Sequence, residues 1–449
     1  MNIHYTVWTI FAGYTAKLSS AESVCGSVVD AGSSGSRLYI HSCDLINNAL
    51  QNCIVAHEQT VEGGWQTVSE DDRELYWQSL FANSTQALSQ HCNQTETDTP
   101  LVIAATAGMR QASLEDQAVF EQTTSEWVNV NTDYVNTSVS IIPGSREAWY
   151  DWLAVNTLYR KFSSDCSSPL FSVIDVGGAS IEWAYEVNQQ ESLSHGEQLQ
   201  FDQGCRYAIQ LSLSSWLGMG VDQVVAETRD TASCYSPSVP IVDSPTGYAQ
   251  GNYESCVGVV KSFIESAPFE FSVLGLLDNP IKGISAAYYT SIDLGFVPDQ
   301  PISIDDWDAV ATDACAQRTD LSNEFSWKVC VSASLIRNVL FHPASPREIE
   351  TLHKINETAI TWTLGVMAEL FTTMNVTDLT VSSSDDGDQQ SFNAKCLAFG
   401  IGLGVASLIV FAGTLVCSKY HRKEDSDYDK LSVDTQVNDE DVKTGKLCC

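Results

Sequence analysis

The chain has 449 residues, enough for two domains with cores of their own, and its 44% hydrophobic and 18% charged content is that of a globular protein. A formal net charge of -34 argues against nucleic acid as a partner and against docking of the fold on anionic lipid, so an anionic substrate needs a local metal ion or arginine to enter. Ten of the fourteen cysteines lie between Cys25 and Cys330 with no C-x-x-C pair and no His/Cys cluster, a pattern of disulfides in an oxidising compartment rather than of zinc.

Residues 1–21 carry a short apolar run, Tyr5 to Tyr14, then Ser19 and Ala21, which fit cleavage before Glu22. The first residues have no Lys or Arg, so the segment reads as a signal peptide or an uncleaved N-terminal anchor. Val24 to Val29 is apolar and β-branched. Asp30-Ala31-Gly32-Ser33-Ser34-Gly35-Ser36-Arg37 follows, then Leu38-Tyr39-Ile40, the pattern of strand, tight turn and strand. Glycine lets such a turn take positive φ, and its successive N–H groups can cradle an anion. Asp30 stands at the strand end, where a carboxylate can hold a divalent cation directly or through water.

The spacing next predicts a helix over Leu75–Leu88, a buried strand over Leu101–Ala105 ending in Thr106-Ala107-Gly108-Met109-Arg110, and a strand over Val139–Ile142. Pro143-Gly144-Ser145-Arg146-Glu147 then opens an aromatic helix over Ala148–Tyr159. After a Ser-rich break at Ser163–Ser168, the apolar run Leu170 to Ile174 leads into Asp175-Val176-Gly177-Gly178-Ala179-Ser180, a second copy of the Asp-Gly-Ser turn. One such turn is a weak signal. Two copies at about a domain's spacing can clamp a phosphate chain from both sides.

Ile349–Leu370 has the apolar face of a long helix. Ser382–Gln390 reads as a polar stalk. Cys396–Cys417 lacks charges and is long enough to span a bilayer, and the Lys419, His421, Arg422 and Lys423 that follow place the C-terminal tail in the cytosol. Gly400 and Gly404 give that span a small-residue face suited to homo-oligomer pairing. Sequons begin at Asn83, Asn93, Asn136, Asn356 and Asn375.

Five segments in order, DAGSSGSR at 30–37, ATAGMR at 105–110, GSREAWYDWLAVN at 144–156, DVGGAS at 175–180 and GISAAYY at 283–289, give the chain a resemblance to the apyrases, the ectonucleoside triphosphate diphosphohydrolases and nucleoside diphosphatases. The resemblance covers roughly residues 25–372. It implies an α/β fold of two ribonuclease H-like lobes, similar to actin and hexokinase, with the active site in the cleft and a C-terminal transmembrane helix appended. The implied division is 1–21 leader, 22–165 lobe I, 166–345 lobe II, 346–372 a helix returning to lobe I, 373–395 stalk, 396–417 membrane span and 418–449 cytosolic tail.

Hydrolysis of a terminal phosphate requires that charge on the phosphate oxygens be offset, that a water be aimed in line, and that this water lose a proton. By resemblance, Glu147 is the general base, and Thr106 and Ser180 position the water. Gly32, Ser33, Ser34, Gly35, Ser36, Arg37, Gly177, Gly178 and Ala179 bind phosphate. Ca²⁺ or Mg²⁺ sits near Asp30, Asp175, Glu182 and Trp362, mostly through its waters. Tyr288 and Tyr289 stack the base of a nucleoside tri- or diphosphate. The family has Gln where this chain has Glu182, and often an aromatic where it has Ala287. Cys234–Cys256 and Cys315–Cys330 match family disulfides; Cys25, Cys43, Cys53, Cys92, Cys166 and Cys205 are left unpaired by the sequence. Against the hydrolase stand a receptor that binds nucleotide on the same scaffold without turnover, since fold alone does not guarantee activity, and a kinase of the same broad fold.

Overall fold

The computed structural model describes residues 22–162, 169–187, 196–203, 206–241, 247–266, 281–317, 326–341, 348–372 and 375–382. The first sheet holds β1 (Glu22–Ala31), β2 (Gly35–Ile46), β3 (Ala49–Glu62), β4 (Pro100–Ala105) and β5 (Val135–Ile141), in the order β3-β2-β1-β4-β5. β1 to β3 form an antiparallel meander, and β4 and β5 run parallel beyond β1. The second sheet contains β6 (Ser172–Val176), β7 (Ser180–Glu186), β8 (Gly196–Gln203), β9 (Arg206–Leu217), β10 (Ile281–Ser285), β11 (Pro301–Ser303) and β12 (Glu348–Thr351). Its centre runs β9-β7-β6-β10-β12, with β7 and β9 antiparallel and β10 and β12 parallel, so the topology of the first sheet is repeated. β13 (Lys354–Ile355) and β14 (Thr358–Ala359) make a small hairpin, and β15 (Asn375–Ser382) pairs with β8 at the sheet edge.

The helices are α1 (Arg73–Phe81), α2 (Ser84–Ala87), α3 (Ala107–Arg110), α4 (Leu114–Asn131), α5 (Gly144–Leu158), α6 (Val221–Thr228), α7 (Tyr253–Ser266), α8 (Ala286–Asp293), α9 (Ile304–Ala316), α10 (Val329–Leu340) and α11 (Trp362–Phe371). Strand alternation divides the core into layers. Val29, Leu38 and Ile103 pack under Trp65, Trp77 and Phe120 on one side of the first sheet. Ile174, Ile181 and Trp183 pack against the α7, α9 and α10 side of the second. The residues next in register, Val28 and Ala104 of the first sheet and Val173 and Ala184 of the second, meet one middle layer built around α5 and α11. Helix α5 is buried nearly all round, and so holds its few polar side chains in fixed positions between the two sheets.

Three sequence expectations change here. The helix expected over Ile349–Leu370 is only Trp362–Phe371, because β12 is taken into the second sheet and Asn356 and Glu357 take positive φ in the turn of the β13–β14 hairpin. This shorter helix contacts β2 and α5: His41 on β2 meets Thr363 at 2.8 Å, and Tyr150 on α5 donates to Glu369. The stalk does not begin at residue 373, since the β-branched run Val376, Thr377, Thr380, Val381 joins the second sheet as part of β15. The Leu75–Leu88 helix breaks after Phe81, where Ser84 turns its hydroxyl back to the Phe81 carbonyl.

The disulfides Cys234–Cys256 and Cys315–Cys330 are present, and Cys25–Cys92 and Cys43–Cys53 supply pairings that the sequence had left open. Asn83, Asn93, Asn136 and Asn356 are exposed, and Asn375 opens β15. Among the described residues no helix is long and apolar enough to cross a membrane. The expected leader, Cys166, Cys205, the Cys396–Cys417 span with Gly400 and Gly404, and the tail lie outside the described residues.

Candidate active site

The two Asp-Gly-Ser turns are closed by the same backbone hydrogen bond. Gly32 N–H donates to Gly35 O at 3.0 Å in the first, and Gly177 N–H donates to Ser180 O at 3.0 Å in the second. Each leaves an aspartate on the first strand opposite a residue of the second: Asp30 faces Arg37, and Asp175 faces Glu182. A cavity of about 1460 Å³ lies between them, lined by Asp30, Gly32, Ser33, Ser34, Arg37, Thr106, Glu147, Asp175, Gly177, Gly178, Ala179, Ser180, Glu182, Tyr289 and Trp362 among others. Gly35 and Ser36, expected to bind phosphate, do not line it. A side chain at Gly35 would meet the Val61 carbonyl at 2.7 Å, and the Ser36 hydroxyl is buried where Tyr76 donates to it at 2.7 Å. Alternation along β2 turns Ser36 inward and Arg37 outward.

The first loop is held close by a glycine. A Cβ at Gly108 would stand 2.7 Å from Ser33 Cα, which has no room to yield. Gly108→Ala is therefore expected to displace the Ser33-Ser34 turn, at a cost of about 1–3 kcal/mol for overpacking. Steady-state kinetics should show this mainly as a raised KM for the phosphate-bearing substrate. An unchanged KM would show that the turn does not hold phosphate.

Glu147 sits in the first turn of α5, buried, and Arg110 Nη1 donates to it at 2.7 Å. The other arm of the same guanidinium, Nη2, reaches Ser180 Oγ at 3.1 Å and Glu182 Oε1 at 3.1 Å. Ser215 also donates to Glu182 Oε1, at 2.8 Å. A Cβ at Gly144 would overlap Ser215 Oγ at 2.0 Å, so glycine at the helix start is what lets α5 reach the second sheet. Arg110, on α3 after β4, thus ties three residues expected at the site, one on α5 and two on β7, into one network. Glu182 Oε1 is held in that network by both Arg110 and Ser215. Arg110 has no role in the sequence reading, although it closes the ATAGMR segment.

Burial raises the Glu147 carboxyl, while Arg110 pulls it back down. Burial and the neighbouring Glu147 push Glu182 well up. Burial lifts Asp30 to about 7 against the pull of Arg37, and Trp362 donates its indole N–H to the same carboxylate. Asp175 rises to about 7 for the same reason, with a hydrogen bond from Ser285 opposing the shift. Asp151, four residues after Glu147 on the same face of α5, was also missed by the sequence reading. It lines the cavity, is 2% exposed, and neither of its oxygens has a hydrogen-bond partner. The i, i+4 spacing of the only two acids in α5 was the available signal.

Thr106 is buried at the end of β4 and lines the cavity. Of the two tyrosines, Tyr289 lines the cavity and is 55% exposed, whereas Tyr288 stacks on His353 with ring centroids 5.2 Å apart and is absent from the lining. One aromatic face is therefore open to a ligand and the other is used in packing.

The profile of the GDA1/CD39 (nucleoside phosphatase) family matches residues 16–261. The chain is 26% identical over 234 residues to the Golgi apyrase of Schizosaccharomyces pombe, covering 44% of this chain and 38% of that protein, so here it spans well under half the length of its relative. It is 23% identical over 436 residues to the ectonucleoside triphosphate diphosphohydrolase 1 of Bos taurus, covering 80% of this chain and 83% of the other. The crystal structure of nucleoside triphosphate hydrolases from Neospora caninum is similar in fold, with a TM-score of 0.58 at 13% identity over 78% of this chain and 92% of that one. The two-lobed, actin-like α/β architecture follows from these matches and from the repeated sheet topology.

Proposed function

The chain belongs to the GDA1/CD39 (nucleoside phosphatase) family, and from that premise we propose that it hydrolyses the terminal phosphate of nucleoside tri- or diphosphates in the cleft between its two sheets, with Glu147 activating the attacking water and a divalent cation required. The observation that carries this reading is Glu147, held by Arg110 beside Ser180 and facing two turns of matching geometry.

The phosphate chain lies between Gly32-Ser33-Ser34 and Gly177-Gly178-Ala179, whose N–H groups and hydroxyls offset its charge. Arg37 adds a full positive charge at the rim. Glu147 takes a proton from a water placed by Thr106 and Ser180, the water oxygen bonds to the terminal phosphorus, and the bridging P–O bond breaks. Burial raises the proton affinity of this base and Arg110 opposes the rise while holding the carboxylate in place. The nucleobase rests on Tyr289.

The residues present fit a hydrated hard cation. Asp30 and Asp175 offer carboxylate oxygens to its waters, and Asp175 Oδ1 is buried with no partner of its own. When bound, the cation neutralises the phosphate oxygens and orients the leaving group. Asp30 and Asp175 hold protons more tightly folded than unfolded, so in chelator the protein is expected to lose stability as pH rises from about 4 to about 7. Added Ca²⁺ or Mg²⁺ should restore the melting temperature at pH 7 and change it little at pH 4. A cation effect of equal size at both values would contradict this assignment.

The disulfides and the exposed sequons support an extracellular or luminal setting for the two lobes. The Cys396–Cys417 run would anchor them through membrane lipid and, through Gly400 and Gly404, pair copies of the chain. The test is phosphate release by the full chain from ATP, ADP, UDP and GDP, with Ca²⁺ or Mg²⁺ and then with chelator. Release that stops in chelator supports the hydrolase, and the ratio of triphosphate to diphosphate rates assigns its preference. Nucleotide binding without release would instead favour a receptor on this scaffold.

A further inference from the structure

We propose that Asp151 completes a cation site on the wall of the cleft that fills before nucleotide arrives, so that the metal is resident rather than delivered with the substrate. This rests on the reading of the cleft as a cation-dependent phosphatase site.

Nine carboxylates line the cavity; Glu58, Asp222, Asp293 and Glu357 are exposed, and the five withdrawn from solvent are Asp30, Glu147, Asp151, Asp175 and Glu182. Two guanidinium groups answer them. Arg110 is spent on Glu147 and Glu182, and Arg37 stands opposite Asp30 across the β1–β2 hairpin. That leaves Asp151 and Asp175. Both oxygens of Asp151 and Oδ1 of Asp175 are buried without a hydrogen-bond partner. Asp151 is 2% exposed and Asp175 8%, so bulk water does not compensate them. A buried carboxylate left unpaired is strongly destabilising, so positive charge from outside the chain is expected at this wall.

Its character follows from the same residues. The donors are all hard oxygens, which suit Mg²⁺ or Ca²⁺. Among the described residues no three acidic, His or Cys side chains converge closely enough to ligate a bare ion. The cation is therefore held through its own waters, which Mg²⁺ gives up reluctantly and whose hydrogens need acceptors without partners. Asp151 presents two of these. It is carried by a helix buried nearly all round, so the site is built before any ligand binds.

The experiment is titration of the full chain with Ca²⁺ alone, by calorimetry and by melting temperature, with no nucleotide present. The wild type is expected to bind one Ca²⁺ in the cleft at submillimolar concentration, and Asp151→Asn to weaken that binding tenfold or more. In chelator at pH 7, Asp151→Asn should melt no lower than the wild type, because it removes a buried carboxyl group whose oxygens have no hydrogen-bond partner. Glu115→Gln, exposed on α4, should bind as the wild type does. If Asp151→Asn does not fold, Asp151→Ser is read in the same way. Wild-type affinity in the Asp151 variant, an equal loss in the Glu115 variant, or no nucleotide-free binding at millimolar Ca²⁺ overturns the proposal. Phosphate release is measured on the same samples: cation-dependent release without prior binding removes only the resident cation, while no cation-dependent release removes the phosphatase reading itself.

Discussion

Glu147→Gln is expected to lower phosphate release by a factor on the order of 10²–10⁴, the range a positioned general base supplies. Glutamine matches glutamate in shape and can still meet Arg110, so the α5 helix start should stay in place. It cannot accept the proton of the attacking water. Nucleotide affinity, measured by calorimetry with Ca²⁺ present, should change far less than kcat. The mutant should not be unstable, because the substitution removes a carboxylate whose ionised form burial already disfavours. A variant with full activity would remove Glu147 as the base and direct attention to the other acid on the same helix face, Asp151.

Arg110→Ala is expected to have the largest effect on stability. Arg110 is the one cation that meets both Glu147 and Glu182 among the described residues, at 2.7 and 3.1 Å. Removing one partner from a buried ion pair costs about 3–5 kcal/mol, and here two carboxylates are left in a low-dielectric site. Activity should fall as well, since Glu147 loses the contact that restrains its carboxyl and Ser180 loses a hydrogen-bond donor. Arg110→Lys keeps the charge but not the planar fork that serves Glu147 with one arm and Ser180 and Glu182 with the other, so its activity should drop with a smaller loss of stability. Adding Glu182→Gln to Arg110→Ala should recover part of the stability, because one of the stranded charges is then absent. Denaturant unfolding of the two single variants and the double variant closes the cycle. Strictly additive losses would show that Glu182 is not the anchor of Arg110.

The organisation of the cleft was legible because it is written in local sequence. An Asp at the end of an apolar run, followed by glycines and serines, specifies a strand and a turn wherever it occurs, and both copies form as expected. The opening of α5 at Pro143-Gly144 placed Glu147 correctly, because Pro and Gly mark a helix start on their own. Strand alternation was less visible: Ser36 reads as one more hydroxyl of the loop, yet the pleat of β2 turns it to Tyr76.

The long helix expected over Ile349–Leu370 failed for a non-local reason. Apolar spacing cannot show that β12 has a partner waiting in β10, almost 70 residues earlier in the chain. Pairings between sheets were hidden in the same way. Arg110 and Glu182 are separated by 72 residues, and only the fold brings them within hydrogen-bond reach. Read alone, Glu182 is an added acid beside a metal. In the folded protein it is the counter-charge that fixes Arg110, and through Arg110 the position of Glu147.

The measurement that tests the central claim most directly is hydrolysis of ATP and ADP by the full chain in water enriched in oxygen-18, with Ca²⁺ present. Attack of a Glu147-activated water on the terminal phosphorus predicts one oxygen-18 in each inorganic phosphate released and none in the nucleotide product, with both release and label lost in Glu147→Gln. Label in the nucleotide, or nucleotide binding by the folded wild type without any phosphate release, would contradict it.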